Sequence, residues 1–328
     1  MVTTPGPRVA VVGTGYVGST AAYTVMLSGL ARELILVDVD AAKAEGHALD
    51  LVHASPLTSP VSIRAGSYED CRGADVILFC AGAAQLPGQS RLDLVETNLR
   101  VLRGSLPAVA RYCPRGILVM VSNPVDVLTL AALSLTGWPP SRVIGSGTVL
   151  DSARFRQALG HHFGVDPRNV HAYVVGEHGD TEVPLWSRAT VAGLTVSEME
   201  ALTGRPVGDR EVFFSRVREA AHEVITRKGA TYYAIAVVLR RILQAILLDQ
   251  HSLLTVSGLV EGSYGITGIC LSLPTIVGRA GRERVLTPSL APEELEALER
   301  SALVLAGFSR LADPPPMSNG PAGGVGAG

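Results

Sequence analysis

The stretch Arg8-Val-Ala-Val-Val-Gly-Thr-Gly-Tyr-Val-Gly18 lies near the start of the 328-residue chain. It joins a short β-branched run to the spacing G-x-G-x-x-G, and a helical pattern follows from Ser19 to Gly29. A second apolar run, Leu34 to Val37, ends at Asp38. This order of strand, glycines, helix, strand and acid predicts a βαβ unit that binds a dinucleotide.

The glycines and the acid have separate roles in such a unit. Gly13 makes the tight turn, Gly15 lets a pyrophosphate approach the backbone, and Gly18 lets the helix pack on the strand. The helix N-terminus supplies N–H donors to the phosphates. Asp38 can accept hydrogen bonds from both ribose hydroxyls, whereas a 2′-phosphate would face its carboxylate. We therefore expect NAD rather than NADP as the cofactor.

Helices and short apolar strands continue to alternate beyond this unit. The pattern predicts helices at Ala41–His53 and Arg91–Tyr112 and strands at Val76–Cys80 and Ile117–Val121. Such alternation is typical of an α/β protein with a doubly wound parallel sheet, the Rossmann fold, which binds ligands at the carboxyl ends of its strands.

The glycines of Ile144-Gly-Ser-Gly-Thr148 indicate a domain boundary. We expect an NAD-binding Rossmann domain over 1–146, an α+β substrate and catalytic domain over 147–312, and a disordered Pro/Gly-rich tail over 313–328. Three elements are predicted in the second domain: one long helix at Arg227–Leu248 with Thr231 in its first turn, an antiparallel pair at Leu253–Val260 and Thr267–Leu273, and a last helix from Pro292 to near Leu311.

Bulk composition excludes several classes of protein. The chain is 47% hydrophobic and its net charge is −2, which gives no electrostatic case for binding nucleic acid or an anionic membrane. Its apolar stretches are broken by charge, Gly or Pro before they could cross a bilayer. Four widely spaced cysteines predict neither a disulfide framework nor a metal site: Cys71, Cys80, Cys113 and Cys270. We expect a soluble cytoplasmic protein without a metal.

Two predicted strands end in loops that carry reactive groups. Small residues and a Pro-Gly pair in Ala81–Arg91 are typical of a lid, from which Arg91 could close over an anion or a carbonyl. The alternative is that Arg91 simply begins the next helix. Asn123 follows another strand, where it could bind a substrate oxygen or cap a turn.

A second group of candidates lies further along the chain. Asp151 and Arg154 are three residues apart and share one helix face, as an intrahelical salt bridge would. Alternatively, Arg154 binds a substrate carboxylate while Asp151 orients His178, which lies in Gly176-Glu-His-Gly-Asp180. Taken alone, His178 is more typical of a surface loop in which a backbone carbonyl holds the imidazole.

The ordered motifs G-T-G-Y-V-G, C-A-G-A-A-Q-L-P-G-Q-S-R, S-N-P-V-D, G-S-G-T-V-L-D-S-A-R-F-R, G-E-H-G-D and K-G-A-T-Y-Y-A-I-A resemble the L-lactate/malate dehydrogenase family. The resemblance runs from Arg8 to Leu311, and the short N-terminus is similar to bacterial members. It implies that His178 is the proton donor and acceptor, Asp151 its partner, Arg154 the carboxylate clamp, and Arg91 the group that polarises the carbonyl. Asn123 and Thr231 would line the substrate pocket. Further positions implied around the nucleotide are Val17, Lys43, Tyr68, Gly82, Ala83, Ser122, Asn123 and Ser146.

The resemblance implies reversible, NADH-dependent reduction of pyruvate to L-lactate. Malate enzymes carry an arginine where this chain has Gln85, and a neutral Gln85 offers no countercharge to the second carboxylate of oxaloacetate. A malate dehydrogenase and an enzyme for bulkier 2-hydroxy acids remain the alternatives. A short-chain dehydrogenase would need Tyr-x-x-x-Lys, which the sequence lacks. A non-catalytic nucleotide-binding protein would be expected to have lost His178, Arg154 or Arg91.

Arg156 and His171 raise the question of regulation. They match positions that, in bacterial lactate dehydrogenases activated by fructose 1,6-bisphosphate, meet across a twofold interface and bind the phosphates. The resemblance therefore implies this activator and a homotetramer. The alternative is that Arg156 is a solvated helix residue and His171 caps a strand edge.

Overall fold

The computed structural model describes residues 6–83 and 91–312, apart from the side chains of Arg91, Ala221 and His222. Gln85 and the predicted tail 313–328 therefore lie outside the described residues. The lid predicted over Ala81–Arg91 is likewise described only at its two ends.

The first half of the chain alternates strands and helices, as predicted. Its strands are β1 (Arg8–Val12), β2 (Glu33–Val37), β3 (Ser62–Ala65), β4 (Val76–Phe79), β5 (Ile117–Met120) and β6 (Val143–Gly145). Its helices are α1 (Tyr16–Ser28), α2 (Ala41–Ala54), α3 (Arg91–Tyr112), α4 (Val125–Thr136) and α5 (Val149–Phe163), the last of which leads into the second half. The six strands are parallel and lie in the order β6-β5-β4-β1-β2-β3.

The second half consists of shorter strands and further helices. The strands are β7 (Val170–His171), β8 (Val174–Val175), β9 (Val183–Pro184), β10 (Thr190–Val191), β11 (Leu194–Thr195), β12 (Ser252–Leu254), β13 (Ser257–Glu261), β14 (Thr267–Ser272), β15 (Thr275–Gly278) and β16 (Gly281–Val285). The helices are α6 (Val196–Thr203), α7 (Arg210–Lys228), α8 (Tyr233–Leu247), α9 (Pro292–Ala306) and α10 (Ser309–Ala312). None of the helices in the described ranges is long and apolar enough to cross a bilayer.

The large sheet does not stop at the predicted domain boundary. Strand β13 pairs antiparallel with β6 through Ser257 and Gly145, and β14 pairs antiparallel with β13, which gives an eight-stranded sheet. The predicted α/β Rossmann fold class is confirmed. The division at residue 146 stays a prediction, and strands from both sides of it share one sheet.

Two predicted elements of the second half were wrong. The helix expected over Arg227–Leu248 is two helices, because Gly229 adopts φ of 86°, a left-handed conformation that ends α7. Thr231 therefore lies between α7 and α8 rather than in a first helical turn. The strand expected over Leu253–Val260 is divided between β12 and β13, which belong to different sheets. The basic pair Arg227-Lys228 before Gly229 was a usable signal for the end of a helix, whereas the run Leu254-Thr-Val256 gave no sign of the second break.

The glycine loop after β1 has the geometry that its spacing predicts. Gly13 adopts φ of 93°, and a Cβ at this position would lie 2.5 Å from the backbone of Ala81. A Cβ on Gly18 would lie 1.8 Å from the carbonyl oxygen of Gly13. Only glycine therefore permits this close approach between strand and helix. Residues Val9–Val12 are at most 1% exposed, so a rigid, buried strand holds the loop in place.

Candidate active site

The predicted nucleotide-binding residues lie along one edge of the large sheet. The glycine loop, Asp38, Gly82–Ala83, Ser122–Asn123 and Ser146 follow the carboxyl ends of β1, β2, β4, β5 and β6 respectively. These strands are neighbours and parallel, so their carboxyl ends meet at the same edge. The strand order reverses between β1 and β4, and a ligand crevice is expected at such a switch point.

The turn between β1 and α1 fits a dinucleotide pyrophosphate. A Cβ built on Gly15 would meet no atom within 4 Å, so open space lies next to this backbone. No side chain caps the N-terminus of α1, and no acidic residue lies in its first turn. The first N–H groups of the helix are therefore oriented towards the space that an anion would fill.

Asp38 is held in a defined orientation at the end of β2. Its Oδ2 accepts hydrogen bonds from the Thr14 N–H at 2.6 Å and the Thr14 hydroxyl at 2.8 Å, while Oδ1 accepts from the Asp40 N–H at 3.2 Å. Partial burial by itself would raise the pKa of Asp38, but these hydrogen bonds outweigh it and lower the pKa, helped by the positive charge of Lys43. The carboxylate is charged at neutral pH, as a ribose acceptor must be.

The other predicted nucleotide residues lie on α1, on α2 and in the segments that follow β3 and β6. Lys43 is exposed in the first turn of α2. Burial raises the pKa of Tyr68, and the negative charge of Asp38 adds to this increase. Val17, in the first turn of α1, is partly buried against the hydrophobic core. Ser146 is 5% exposed, and its N–H donates to the carbonyl oxygen of Met120 at 2.8 Å.

Asn98 on α3 is a functional candidate that sequence reasoning missed. Its Oδ1 accepts from the Ala83 N–H at 2.7 Å, and its Nδ2 donates to the carbonyl oxygens of Ala83 at 3.1 Å and Asn123 at 2.7 Å. Asn98 is only 2% exposed. It therefore joins the segment that enters the predicted lid to the loop of Asn123. The sequence did carry one signal for Asn98: its polar side chain lies on the apolar face of the helix, between Val95 and Leu99.

Asp151 links His178 and Arg154. Its Oδ2 lies 2.7 Å from His178 Nδ1, and its Oδ1 accepts a 2.8 Å hydrogen bond from Arg154 Nη1. Asp151 is 3% exposed and lies in the first turn of α5, where the helix dipole favours a negative charge. The salt bridge and the orienting contact, which the sequence left as alternatives, are thus present together.

His178 lies in the turn after β8, and a second carboxylate fixes this turn. The His178 N–H donates to Asp126 Oδ2 at 2.8 Å, and the Ser257 hydroxyl donates to Asp126 Oδ1 at 2.5 Å. Asp126 is 2% exposed in the first turn of α4. It therefore attaches the histidine turn to the first half of the chain. Asp126 has no role in the sequence-based prediction, although an acid at the start of an otherwise apolar helix was a usable signal.

The charges around His178 favour the imidazolium. Burial by itself would lower the pKa of His178, but the carboxylate of Asp151 outweighs it, with smaller contributions from Asp126 and Glu182, and raises the pKa to about 9. Burial would raise the pKa of Asp151, but His178 and Arg154 lower it. At neutral pH the pair consists of an imidazolium and a carboxylate, which is the state that can give up a proton.

Glu182 is a third carboxyl group at this centre, and sequence reasoning missed it. It is 8% exposed, and its ligand atoms and those of Asp151 and His178 all lie within 4.8 Å of one another. Burial and the negative charge of Asp151 raise the pKa of Glu182 to about 8, against the opposing charges of His178, Arg218 and Arg154. Glu182 is therefore largely neutral at pH 7.

Several predicted substrate residues are only partly accounted for. Gln85 lies outside the described residues, and so does the side chain of Arg91. Asn123 is exposed, and its side chain makes no hydrogen bond within the described ranges. Thr231 is half-buried in the link between α7 and α8, and the next residue, Tyr232, stacks on Tyr16 with ring centroids 5.3 Å apart. This contact places the link near the start of α1.

Of the predicted regulatory residues, Arg156 contacts the backbone next to His171. Arg156 Nε donates to the carbonyl oxygen of Ala172 at 3.0 Å, and its guanidinium lies 5.2 Å from the centre of the Tyr173 ring. Burial, with a smaller contribution from the positive charge of Arg241, lowers the pKa of Arg156. Its neighbour in space, His171, is exposed at the end of β7. Arg156 is therefore not a freely solvated helix residue.

A glycine loop suited to a dinucleotide, together with a histidine paired to a buried acid, is typical of a nucleotide-dependent dehydrogenase. Comparison with protein families agrees in both halves of the chain. Residues 7–145 match the NAD binding domain of lactate/malate dehydrogenase, and residues 148–307 match its alpha/beta C-terminal domain. The chain belongs to the lactate/malate dehydrogenase family.

Individual relatives are similar over nearly their full length. An L-lactate dehydrogenase of Moorella thermoacetica is 51% identical over 306 residues, which cover 92% of this chain and 96% of the relative. One of Gloeobacter violaceus is 49% identical and covers 90% of each. The solved structure of a minor L-lactate dehydrogenase from Enterococcus mundtii has a TM-score of 0.90 and 40% identity, and covers 93% of this chain and 98% of that one.

Proposed function

We propose that the protein is an NAD-dependent L-lactate dehydrogenase that interconverts pyruvate and L-lactate, with His178 as the proton donor and acceptor. One observation carries the proposal: Asp151 contacts both His178 and Arg154, and Asp126, which follows β5 on the nucleotide edge of the sheet, holds the His178 turn. Two relatives with about half their residues in common are themselves named L-lactate dehydrogenases.

The charges at the site suit the reduction of a 2-oxo acid. NADH, when bound, supplies the hydride to the carbonyl carbon. His178 is protonated below about pH 9 and can give a proton to the carbonyl oxygen, after which Asp151 holds the neutral imidazole in place. In the reverse direction the neutral imidazole takes the hydroxyl proton.

Arg154 is suited to hold the substrate carboxylate. Only Nη1 makes a hydrogen bond within the described ranges, to Asp151, and the side chain is 18% exposed. The remaining N–H groups can pair with a carboxylate in the two-point geometry that guanidinium favours. The bond to Asp151 reduces the freedom of the side chain, so less entropy is lost when substrate binds.

Substrate choice is proposed from Gln85. A neutral amide at this position would leave the second carboxylate of oxaloacetate without a countercharge in a closed site, which costs several kcal/mol. The proposed function is tested by initial rates with NADH against pyruvate, oxaloacetate and a branched 2-oxo acid. We expect pyruvate to have the highest kcat/KM. A higher kcat/KM for either of the other acids would assign the protein to one of the alternatives.

Regulation by fructose 1,6-bisphosphate in a homotetramer is proposed from Arg156 and His171. Two copies of these cations, brought together by a twofold axis, would repel each other until a bisphosphate neutralised them. The contact of Arg156 with Ala172, next to His171, supports this arrangement.

We place the protein in the cytoplasm, because Cys71, Cys80, Cys113 and Cys270 are all free thiols.

A further inference from the structure

A second cleft lies at the edge of the large sheet opposite the active site. Its floor includes Pro7, Asp75, Gly116 and Arg142, which immediately precede β1, β4, β5 and β6. The cleft has a volume of about 760 Å³, within the range of small-molecule sites. Nothing in the proposed reaction uses this edge of the sheet.

The charge of this cleft is strongly one-sided. Five arginines line it against a single carboxylate, that of Asp75, and we call it the arginine cleft: Arg72, Arg111, Arg115, Arg142 and Arg279. The chain as a whole has a net charge of −2, so the cleft is a local positive region on a slightly acidic protein. The Asp75 carboxylate also accepts a hydrogen bond from the Arg8 N–H at 2.8 Å.

Aromatic rings and carbonyl groups hold several of these guanidiniums in place. Arg72 and Arg111 lie 5.2 and 6.0 Å from the centre of the Tyr112 ring. Arg142 lies 5.2 Å from the centre of the Trp138 ring and donates to the carbonyl oxygen of Pro114 at 2.8 Å. Part of the ordering cost of binding an anion is therefore already met by the fold.

A purely structural role accounts for some of these arginines but not for all. Arg111 lies in the last turn of α3, where the helix dipole stabilises a positive charge. Arg142 donates hydrogen bonds to the carbonyl oxygens of Pro114 and Gly116, which follow that helix. Arg72 pairs with Glu69 at 3.2 Å, and Arg279 lies 3.8 Å from a carboxylate oxygen of Asp249. In the described part of the chain, however, neither Arg111 nor Arg115 has a carboxylate partner, and both are exposed in the cleft.

We propose that the arginine cleft binds the polyphosphate group of a small molecule. Arginine pairs with phosphate oxygens at two points, and a chain of phosphates carries enough charge to engage several guanidiniums at once. A single carboxylate or phosphate would neutralise only a fraction of the cleft. Free inorganic polyphosphate and a nucleoside triphosphate present the same chemistry here.

The test is calorimetric titration of inorganic triphosphate and, separately, of ATP into the full-length protein without magnesium. Saturating NADH occupies the nucleotide crevice throughout. We expect one saturable site per chain for both ligands, and equal affinities would mean that the phosphates alone are recognised. The double variant Arg111→Glu/Arg115→Glu should weaken binding at least tenfold, since each lost charge-assisted hydrogen bond is worth about that factor.

Two further variants distinguish binding at the arginine cleft from nonspecific electrostatic binding and from binding at the proposed bisphosphate site. Arg216→Glu/Arg300→Glu changes the net charge equally but lies outside the cleft, and it should bind triphosphate like the wild type. Arg156→Ala removes the proposed bisphosphate site and should also leave binding intact. Absence of saturable binding, equal loss in both double variants, or loss in Arg156→Ala alone would overturn the proposal. So would saturable binding of a single-stranded oligonucleotide but not of triphosphate. Unchanged NADH affinity shows that each variant is folded.

Discussion

Oδ2 of Asp151 lies 2.7 Å from Nδ1 of His178, and the same carboxylate binds Arg154 through its other oxygen. A single buried carboxylate therefore controls both the protonation of the acid and the position of the substrate clamp. A substitution of Asp151 is therefore expected to act on both partners.

Replacing His178 with Ala should lower kcat for pyruvate reduction by about 10²-fold or more, because general acid catalysis contributes roughly 10²–10⁴-fold. NADH affinity should persist, since the nucleotide crevice does not use this side chain. Stopped-flow turnover and NADH fluorescence measure the two quantities. His53→Ala, on the exposed face of α2, is the matched control and should behave like the wild type. A near wild-type kcat for His178→Ala would remove this residue from the reaction.

Asp151→Asn should move the basic limb of the pH profile to lower pH. Pyruvate reduction needs protonated His178, so a pKa of about 9 keeps kcat/KM flat through neutral pH and lets it fall as pH rises through 9. Without the carboxylate the pKa falls towards its ordinary value of about 6.5. We expect a shift of at least one pH unit, measured as kcat/KM for pyruvate at saturating NADH. An unmoved limb would mean that Asp151 does not set the pKa of His178.

Glu182→Gln should change activity only at high pH. Below about pH 8 the native carboxyl is largely neutral, so the variant should match the wild type there. Above that pH the native carboxylate favours the imidazolium, and the neutral amide does not, so the basic limb should move to lower pH. Glu200→Gln, on α6 and away from His178, serves as the control. Identical profiles for the wild type and Glu182→Gln would show that Glu182 is not coupled to His178.

Asp38→Ala should weaken NADH binding about tenfold or more, because a hydrogen bond to a charged group contributes about 1.5–3 kcal/mol. Asp38→Asn keeps an acceptor for Thr14 and isolates the contribution of the charge. Asp50→Ala, exposed on α2, is the control. Fluorescence titration gives the Kd of each protein. An unchanged Kd in both Asp38 variants would place the ribose elsewhere.

Gln85→Arg should raise kcat/KM for oxaloacetate relative to pyruvate, because the added cation pairs with the second carboxylate. The comparison is the ratio of the two kcat/KM values in the variant and in the wild type. Gln89→Arg adds the same charge four residues away and should leave the ratio unchanged. Loss of activity on both substrates without a change in ratio would show that Gln85 does not discriminate between them.

Fructose 1,6-bisphosphate should lower the apparent KM for pyruvate and favour the tetramer in sedimentation. Arg156→Ala and His171→Ala should each remove both effects while basal kcat stays near the wild-type value. No response in the wild-type protein would mean that these residues do not form an effector site.

Local patterns were enough for the Rossmann half of the fold. The run from Arg8 to Gly18 and the acid at Asp38 obey steric rules that act within a few residues, and α1, β2 and the nucleotide crevice follow from them. The family motifs likewise indicated NAD and the lactate dehydrogenase reaction, and both are confirmed by the comparisons.

The partners of each site residue depended on contacts between distant parts of the chain. Asp126 holds the His178 turn from fifty-two residues away, Asn98 links two loops, and Glu182 is neutral only because folding buries it beside Asp151. Sequence periodicity does not predict these long-range contacts, because burial and electrostatic coupling arise only when the helices and strands pack together. The break at Gly229, by contrast, had a local signal: Arg227 and Lys228 before a glycine are typical of a helix C-terminus, and α8 then packs against α1. Sequence therefore set the local conformations and the chemical groups, and packing set the pKa values and the contacts between them.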